Sequence, residues 1–326
     1  MFDPRIVALG GGTGLSTMLR GLKKYTNEIT AVITMADDGG GSGILRQDLG
    51  MLPPGDIRNC LLALAEIEPT LEKLFRYRFG DGMLKGQSLG NLILAAMNGI
   101  YGSFDEAIKH AHEVFAVTGK VLPVTCDDIR MYAVFEDGSA VFGESKIAEA
   151  KIKHGCKIQS VGLSAPHVMP AQGVLPAIEN ADMIILGPGS LYTSIIPNLL
   201  VDKVSDAIRK SNARKVYVCN VMTQVGETEG YSAFDHVSAI IQHGGEGLID
   251  TCIVNTGAIA GEILDRYESL EGAQPVFIDD EAFEQAGITL IKAEIARVEN
   301  DLARHNPQRL AHEIMKLKPD TQRASS

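Results

Sequence analysis

Apolar residues are grouped along this chain into short uninterrupted runs that end in glycine or polar residues, and each run is followed by a stretch of helical period. The first is Val7-Ala8-Leu9, which runs into Gly10-Gly11-Gly12-Thr13-Gly14; Leu15, Met18, Leu19 and Leu22 follow on one helical face. Ile29 to Met35 reads as a second strand. Asp56, after Pro53-Pro54-Gly55, reads as the N-cap of a helix with Ile57, Cys60, Leu61, Leu64 and Ala65 inward. Ser88-Leu89-Gly90-Asn91 opens another helix, and residues 104–117 a further one. Later runs, Asp182–Leu186, Lys215–Cys219 and Thr251–Val254, are each followed by a helix, near 200–210, 233–243 and 259–270.

Strand–helix alternation of this kind predicts an α/β fold: a doubly wound, mostly parallel, Rossmann-like sheet. The middle of the chain breaks the pattern. Arg130–Gly143 reads as a hairpin around Asp137-Gly138, and Lys157–Leu163 as another strand. Residues 121–165 are therefore expected to form an antiparallel β extension, available as an edge, a lid or a contact with a second copy in a homodimer. With no Pro- or Ser-rich linker and no repeat, residues 1–326 are expected to make a single domain, closed by a helix near 307–318.

The glycine run carries the first chemistry. A strand, a bare glycine turn and a helix N-terminus together present free N–H groups and a helix dipole to an anion, which predicts a phosphate site at Gly11, Gly12, Thr13 and Gly14. The run is not the full dinucleotide fingerprint, because Leu15 stands where the third glycine belongs, so NAD is the less favoured ligand. It also lacks the Gly-Lys-Ser/Thr ending of a P-loop. Four more strand ends are polar or glycine-rich: Ala36–Gly43, Gly187-Pro188-Gly189-Ser190, Asn220–Thr223 and Asn255-Thr256-Gly257. In open α/β sheets ligands bind beyond the carboxyl ends of strands, so five such loops on one rim predict a pocket. Candidates there are Asp37 and Asp38, which suit a ribose diol or a Mg²⁺ ion, and Arg58 and Asn59. Gly187, Gly189, Ser190, Tyr192, Thr193, Asn220 and Thr223 complete a second phosphate cradle.

Net charge narrows the partners. At −11, with apolar residues making up 45% of the chain, it argues against a nucleic-acid surface and makes an anionic ligand depend on local donors. The five cysteines are scattered without a C-x-x-C pair, which fits a reducing compartment and no zinc site. No signal-peptide pattern is seen at the N-terminus, and no apolar run is long enough to span a membrane.

Taken in order, Gly10–Gly14, Ala36–Gly40, Pro53–Asn59, Ser88–Leu92, Gly143-Glu144-Ser145, Gly187–Ser194 and Cys219–Gln224 resemble the bacterial gluconeogenesis factor family, itself related to the CofD-type 2-phospho-L-lactate transferases. The likeness covers about residues 5–310. It implies a cytoplasmic, UDP-sugar-binding regulator of the UDP-N-acetylglucosamine type. It also implies a need for that regulator in gluconeogenic growth, cell shape and cell-wall synthesis, with no firm catalytic activity and an unidentified protein partner. It adds Asn91 to the candidate site and places the late pair Arg304-His305 near the ligand. The alternative it leaves open is a Mg²⁺-dependent transferase acting on a nucleoside-diphosphate-linked substrate. Pro307 stands where some relatives carry a candidate phosphorylation threonine, so that regulation does not carry over.

Overall fold

The computed structural model describes residues 3–66 and 69–318. Seven strands form one parallel sheet: β1 (Ile6–Gly10), β2 (Ile29–Ile33), β3 (Lys120–Pro123) and, after an excursion, β7 (Met183–Leu186), β8 (Arg214–Val218), β9 (Thr251–Asn255) and β10 (Thr289–Ala293). Their spatial order is β10-β9-β8-β7-β1-β2-β3, every pairing parallel. β1 and β7 are buried at every position, as sheet strands covered by helices on both faces must be. The chain leaves β1 toward β2 on one side and returns to β7 on the other. The topological switch point therefore lies between β1 and β7.

The excursion is a separate three-stranded antiparallel sheet of β4 (Met131–Phe135), β5 (Ala140–Phe142) and β6 (Ile158–Leu163), in the order β5-β4-β6. It begins later than the sequence suggests, because 120–123 is the edge of the main sheet, and it carries an unforeseen helix at Glu144–His154. Another unforeseen piece is the hairpin β11 (Ala296–Glu299) and β12 (Leu302–His305), paired antiparallel with Arg297 opposite Arg304.

The helix Gly12–Leu22 is sandwiched between the helices Gly55–Leu64 and Pro307–Lys316. That contact fixes where the hairpin lies, since β12 runs directly into the last helix and touches the first. Asn306 caps the last helix by accepting from the N–H groups of Gln308 and Arg309. None of the described helices is long and apolar enough to cross a membrane.

Candidate functional site

A cleft of about 680 Å³ opens at the switch point, beyond the carboxyl ends of β1, β7 and β8. It gathers Gly12, Thr13 and Gly14 after β1, Gly189 and Ser190 after β7, Asn220 and Thr223 after β8, and Arg304 from β12. These eight come from three strand ends and a distant hairpin. Gln224, Ser194, Tyr267 and His305 join them.

The first helix begins at Gly12, with no side-chain cap and no acidic residue in its first turn. The Gly12 N–H turns to the carboxylate of Asp56, and the following first-turn N–H groups with the helix dipole are left for an anion. The loops after β1 and β7 touch through backbone: a β-carbon on Gly14 would sit 2.7 Å from the Pro188 carbonyl oxygen. Asn220 locks the second loop with both ends of its amide, accepting from Gly189 N–H at 3.3 Å and donating to the Gly189 carbonyl at 2.9 Å.

Behind that loop lies a buried acid that sequence reasoning missed. Glu227 accepts from the Tyr192 N–H at 3.2 Å, the Thr193 hydroxyl at 3.0 Å and the Gln224 amide at 2.9 Å. Gln224 in turn accepts from the Ser190 hydroxyl at 2.7 Å. Burial pushes the Glu227 carboxyl up to about 7, against the opposing pull of the Thr193 and Tyr192 bonds. Thr193 therefore supports the cradle from behind. Tyr192 points inward, its hydroxyl 2.8 Å from that of Tyr231, and Gly187 packs against Ile195 and the Val218 carbonyl. Tyr192, Thr193 and Gly187 do not line the cleft.

The opposite wall is apolar, built on Val221, Met222, Tyr267, Ala273 and Ala303. Arg304 is exposed at its rim and has no ion pair among the described residues, whereas Arg297 across the hairpin holds Glu299 at 2.6 Å. His305 is buried, with Nε2 3.1 Å from the Cys219 carbonyl. Burial lowers its pKa to about 4, so the ring is neutral, and a carbonyl partner makes Nε2 the donor and leaves Nδ1 an acceptor. Thr223 is fixed by donating its backbone N–H to the Gln274 carbonyl at 2.7 Å and by accepting the Gln274 N–H on its hydroxyl at 2.9 Å.

An acidic group lies beside the glycine turn. Asp56 is not a cap: its helix starts at Gly55, and its carboxylate turns to the first loop, where Gly12 N–H reaches it. A side chain on Gly11 would begin 2.6 Å from Asp56 Oδ2. Burial first, then the Asp37 charge, raises Asp56 to about 6. Glu144 is raised to about 8 by burial and by Asp37, Glu227, Asp38 and Asp56. Asp37 and Asp38 diverge: Asp37 Oδ1 takes the Gly39 N–H, and Asp38 Oδ1 takes the Ser145 N–H, both at 2.9 Å. Among the described residues no three acid, histidine or cysteine side chains converge as a metal-binding set. The Asp37 charge bears on both Asp56 and Glu144, so these acids repel one another.

Arg58, Asn59 and Asn91 come together, but away from the cleft lining: Arg58 donates to Asn91 Oδ1 at 2.8 Å and to Asn59 Oδ1 at 2.9 Å. Of the five expected loops, that of β9 is turned to structure, Asn255 Oδ1 accepting from Gly257, Ile295 and Ala296. A second hollow of about 860 Å³, at the other end of β1–β3, holds none of the candidate residues.

Three comparisons agree with this architecture. Residues 6–296 match the family described as 2-phospho-L-lactate transferase CofD. A putative gluconeogenesis factor of Thermoanaerobacterium thermosulfurigenes is 57% identical over 96% of this chain and 97% of its own. The gluconeogenesis factor of Bacillus subtilis is 49% identical over 96% and 98%. A crystal structure of a UPF0052 family member from Bacillus halodurans superposes with a TM-score of 0.92 at 46% identity, covering 96% of this chain and 100% of the other.

Proposed function

The chain belongs to the gluconeogenesis factor branch of the CofD family, and on that premise we propose that it is a cytoplasmic regulator that binds a UDP-sugar of the UDP-N-acetylglucosamine type in the switch-point cleft. On this reading the bound sugar nucleotide reports precursor supply to cell-wall synthesis, cell shape and gluconeogenic growth. The observation that carries the binding is the cleft itself. The first turn of a helix beyond Gly12 and a second glycine loop meet in backbone contact, beside an arginine with no ion pair among the described residues, on a chain of net charge −11. A diphosphate supplies the negative charge that this set of donors lacks, and Arg304 supplies a bidentate fork. The apolar wall at Met222 and Tyr267 suits the face of a base or sugar.

One observation favours a second reading. Asp56 borders the glycine turn and feels the charge of Asp37, as does Glu144, and Mg²⁺ held among these acids and Asp38 would neutralise a diphosphate leaving group. In that case the protein is a transferase acting on a nucleoside-diphosphate-linked substrate, with the cleft amides steadying the leaving group.

A thermal-shift panel of UDP-sugars, guanosine diphosphate conjugates and NAD, with and without Mg²⁺, tests the first reading. A UDP-sugar at 100 times its Kd should stabilise the fold by about 2.7 kcal/mol. A shift with NAD and none with UDP-sugars sinks it. Steady release of UDP from bound UDP-sugar on incubation with Mg²⁺ replaces the regulator by the transferase.

A further inference from the structure

Arg58 is a largely buried cation whose direct partners are all neutral. Its Nη1 donates to Ser88 Oγ and to Asn91 Oδ1, its Nη2 donates to Asn59 Oδ1, and its Nε–H is buried without a partner. Asp56 and Asp37 are near enough for their charges to be felt, but neither forms an ion pair with it among the described residues. A buried charge without a counter-ion is costly, so a fold that keeps one leaves a place for the missing anion.

The amides around it sharpen the point. A guanidinium can only donate, so both amide oxygens must face it, and the orientations of Asn59 and Asn91 are fixed. Their two Nδ2 groups then have no protein acceptor among the described residues. With the second Nη2–H of Arg58, the cluster offers donors and no acceptor. Arg78, anchored on the Gly86 carbonyl, brings a second positive charge; that charge, after burial itself, lowers the Arg58 pKa. Gly90 makes room for the arginine, since a β-carbon there would meet Arg58 Cδ at 2.7 Å. None of these residues lines the switch-point cleft.

We propose that Arg58, Asn59 and Asn91, with Arg78 beside them, form a second subsite that takes the phosphate group of a second small molecule. Two positive charges and several unpaired donors in one cluster match a phosphate monoester, which carries close to two negative charges at neutral pH. The subsite borders the acids Asp56 and Asp37 on one side, so the second molecule would lie across them from whatever fills the cleft. The inference does not depend on which nucleotide that is.

Inorganic phosphate is the probe, titrated into the full chain and followed by ³¹P line broadening. The informative variant is Asn59→Asp. Its carboxylate accepts from Arg58 as the amide oxygen does, so the fold should melt at or above the wild-type temperature, while the donor is replaced by a negative charge. Phosphate affinity should fall at least roughly tenfold, the scale of one charged hydrogen bond. Arg78→Gln, at an exposed position, should weaken it severalfold. The proposal is overturned if wild type shows no saturable phosphate binding, if Asn59→Asp binds as wild type does, or if Arg304→Ala abolishes phosphate binding that Asn59→Asp retains, which would put the ion in the cleft.

Discussion

Replacing Glu144 by glutamine should make the protein more stable, and increasingly so as the pH rises. Glu144 opens the helix 144–154 within reach of the charges of Asp37, Glu227, Asp38 and Asp56, and its pKa is raised from 4.5 to about 8 by burial and then by those neighbours. A carboxyl whose folded pKa lies above its unfolded one contributes stability that is full below about 4.5 and is lost as the pH rises through about 8. The lift corresponds to a ceiling of about 5 kcal/mol, at 1.36 kcal/mol per unit. Water reaches part of the carboxyl, and the acids titrate together, so about 2 kcal/mol is the expected scale. Urea unfolding of wild type and Glu144→Gln at about pH 5.5 and pH 8.5 reads it directly. The variant's advantage should grow by about 2 kcal/mol between the two, roughly 4 °C in Tm for a chain of this size. An advantage that does not change with pH, or a loss that deepens at high pH, refutes the reasoning, because Glu144 would then be an ordinary ionised helix-start carboxylate favoured by the dipole.

Thr13→Ala should weaken UDP-sugar binding and leave the melting temperature of the free protein nearly unchanged, since Thr13 lies in the cleft loop and is exposed. Gly14→Ala should do both harms: the added carbon meets the Pro188 carbonyl at 2.7 Å, so about 1–3 kcal/mol of stability and most of the ligand affinity should go, as urea unfolding and calorimetry would show. Arg304→Ala should cost about 1.5–3 kcal/mol of calorimetric binding energy, the scale of a charged hydrogen bond. Arg297→Ala should cost little, because Arg297 is held by Glu299; equal small losses from both would mark Arg304 as surface charge.

The parallel sheet was legible because each central strand is an unbroken apolar run that ends in glycine or a polar residue, and a strand buried on both faces needs that pattern. β10 escaped notice for the complementary reason: at the sheet edge Thr289–Ala293 is only partly covered, and its sequence alternates weakly. The helix Gly40–Leu49 opens with Gly-Gly-Ser-Gly, which local propensity reads as a loop; its buried Ser42, Leu45 and Arg46 show that tertiary packing holds it. The helix starts two residues earlier than the sequence suggests, with Pro54 as its N-cap, enough to turn Asp56 from a cap into an acid facing the glycine turn.

Within the site, the glycine loops showed themselves by composition; those after β1, β7 and β8 line the cleft, while those after β2 and β9 do not. Glu144 and Glu227 gave no such signal, since a single acid in an ordinary segment acquires its burial and its neighbours only from the fold. The same holds for the separation of Arg58, Asn59 and Asn91 from the cleft. Sequence order places them among the loops, but the helix 55–64 and the start of the helix 89–101 turn them toward each other. Arg304 reaches the rim only because a hairpin far along the chain folds back over β8, a long-range contact that no local pattern encodes.

The central claim is that the cleft between β1 and β7 is the nucleotide site and that it grips the diphosphate. A crystal structure of the protein with UDP-N-acetylglucosamine tests this most directly. The account predicts the diphosphate against the leading N–H groups of the first helix and the Ser190 loop, at about 2.7–3.2 Å, with Arg304 turned onto it and the Met222–Tyr267 wall beside the base or sugar. A nucleotide seated in the hollow at the other end of β1–β3, or one whose phosphates avoid both glycine loops, contradicts it.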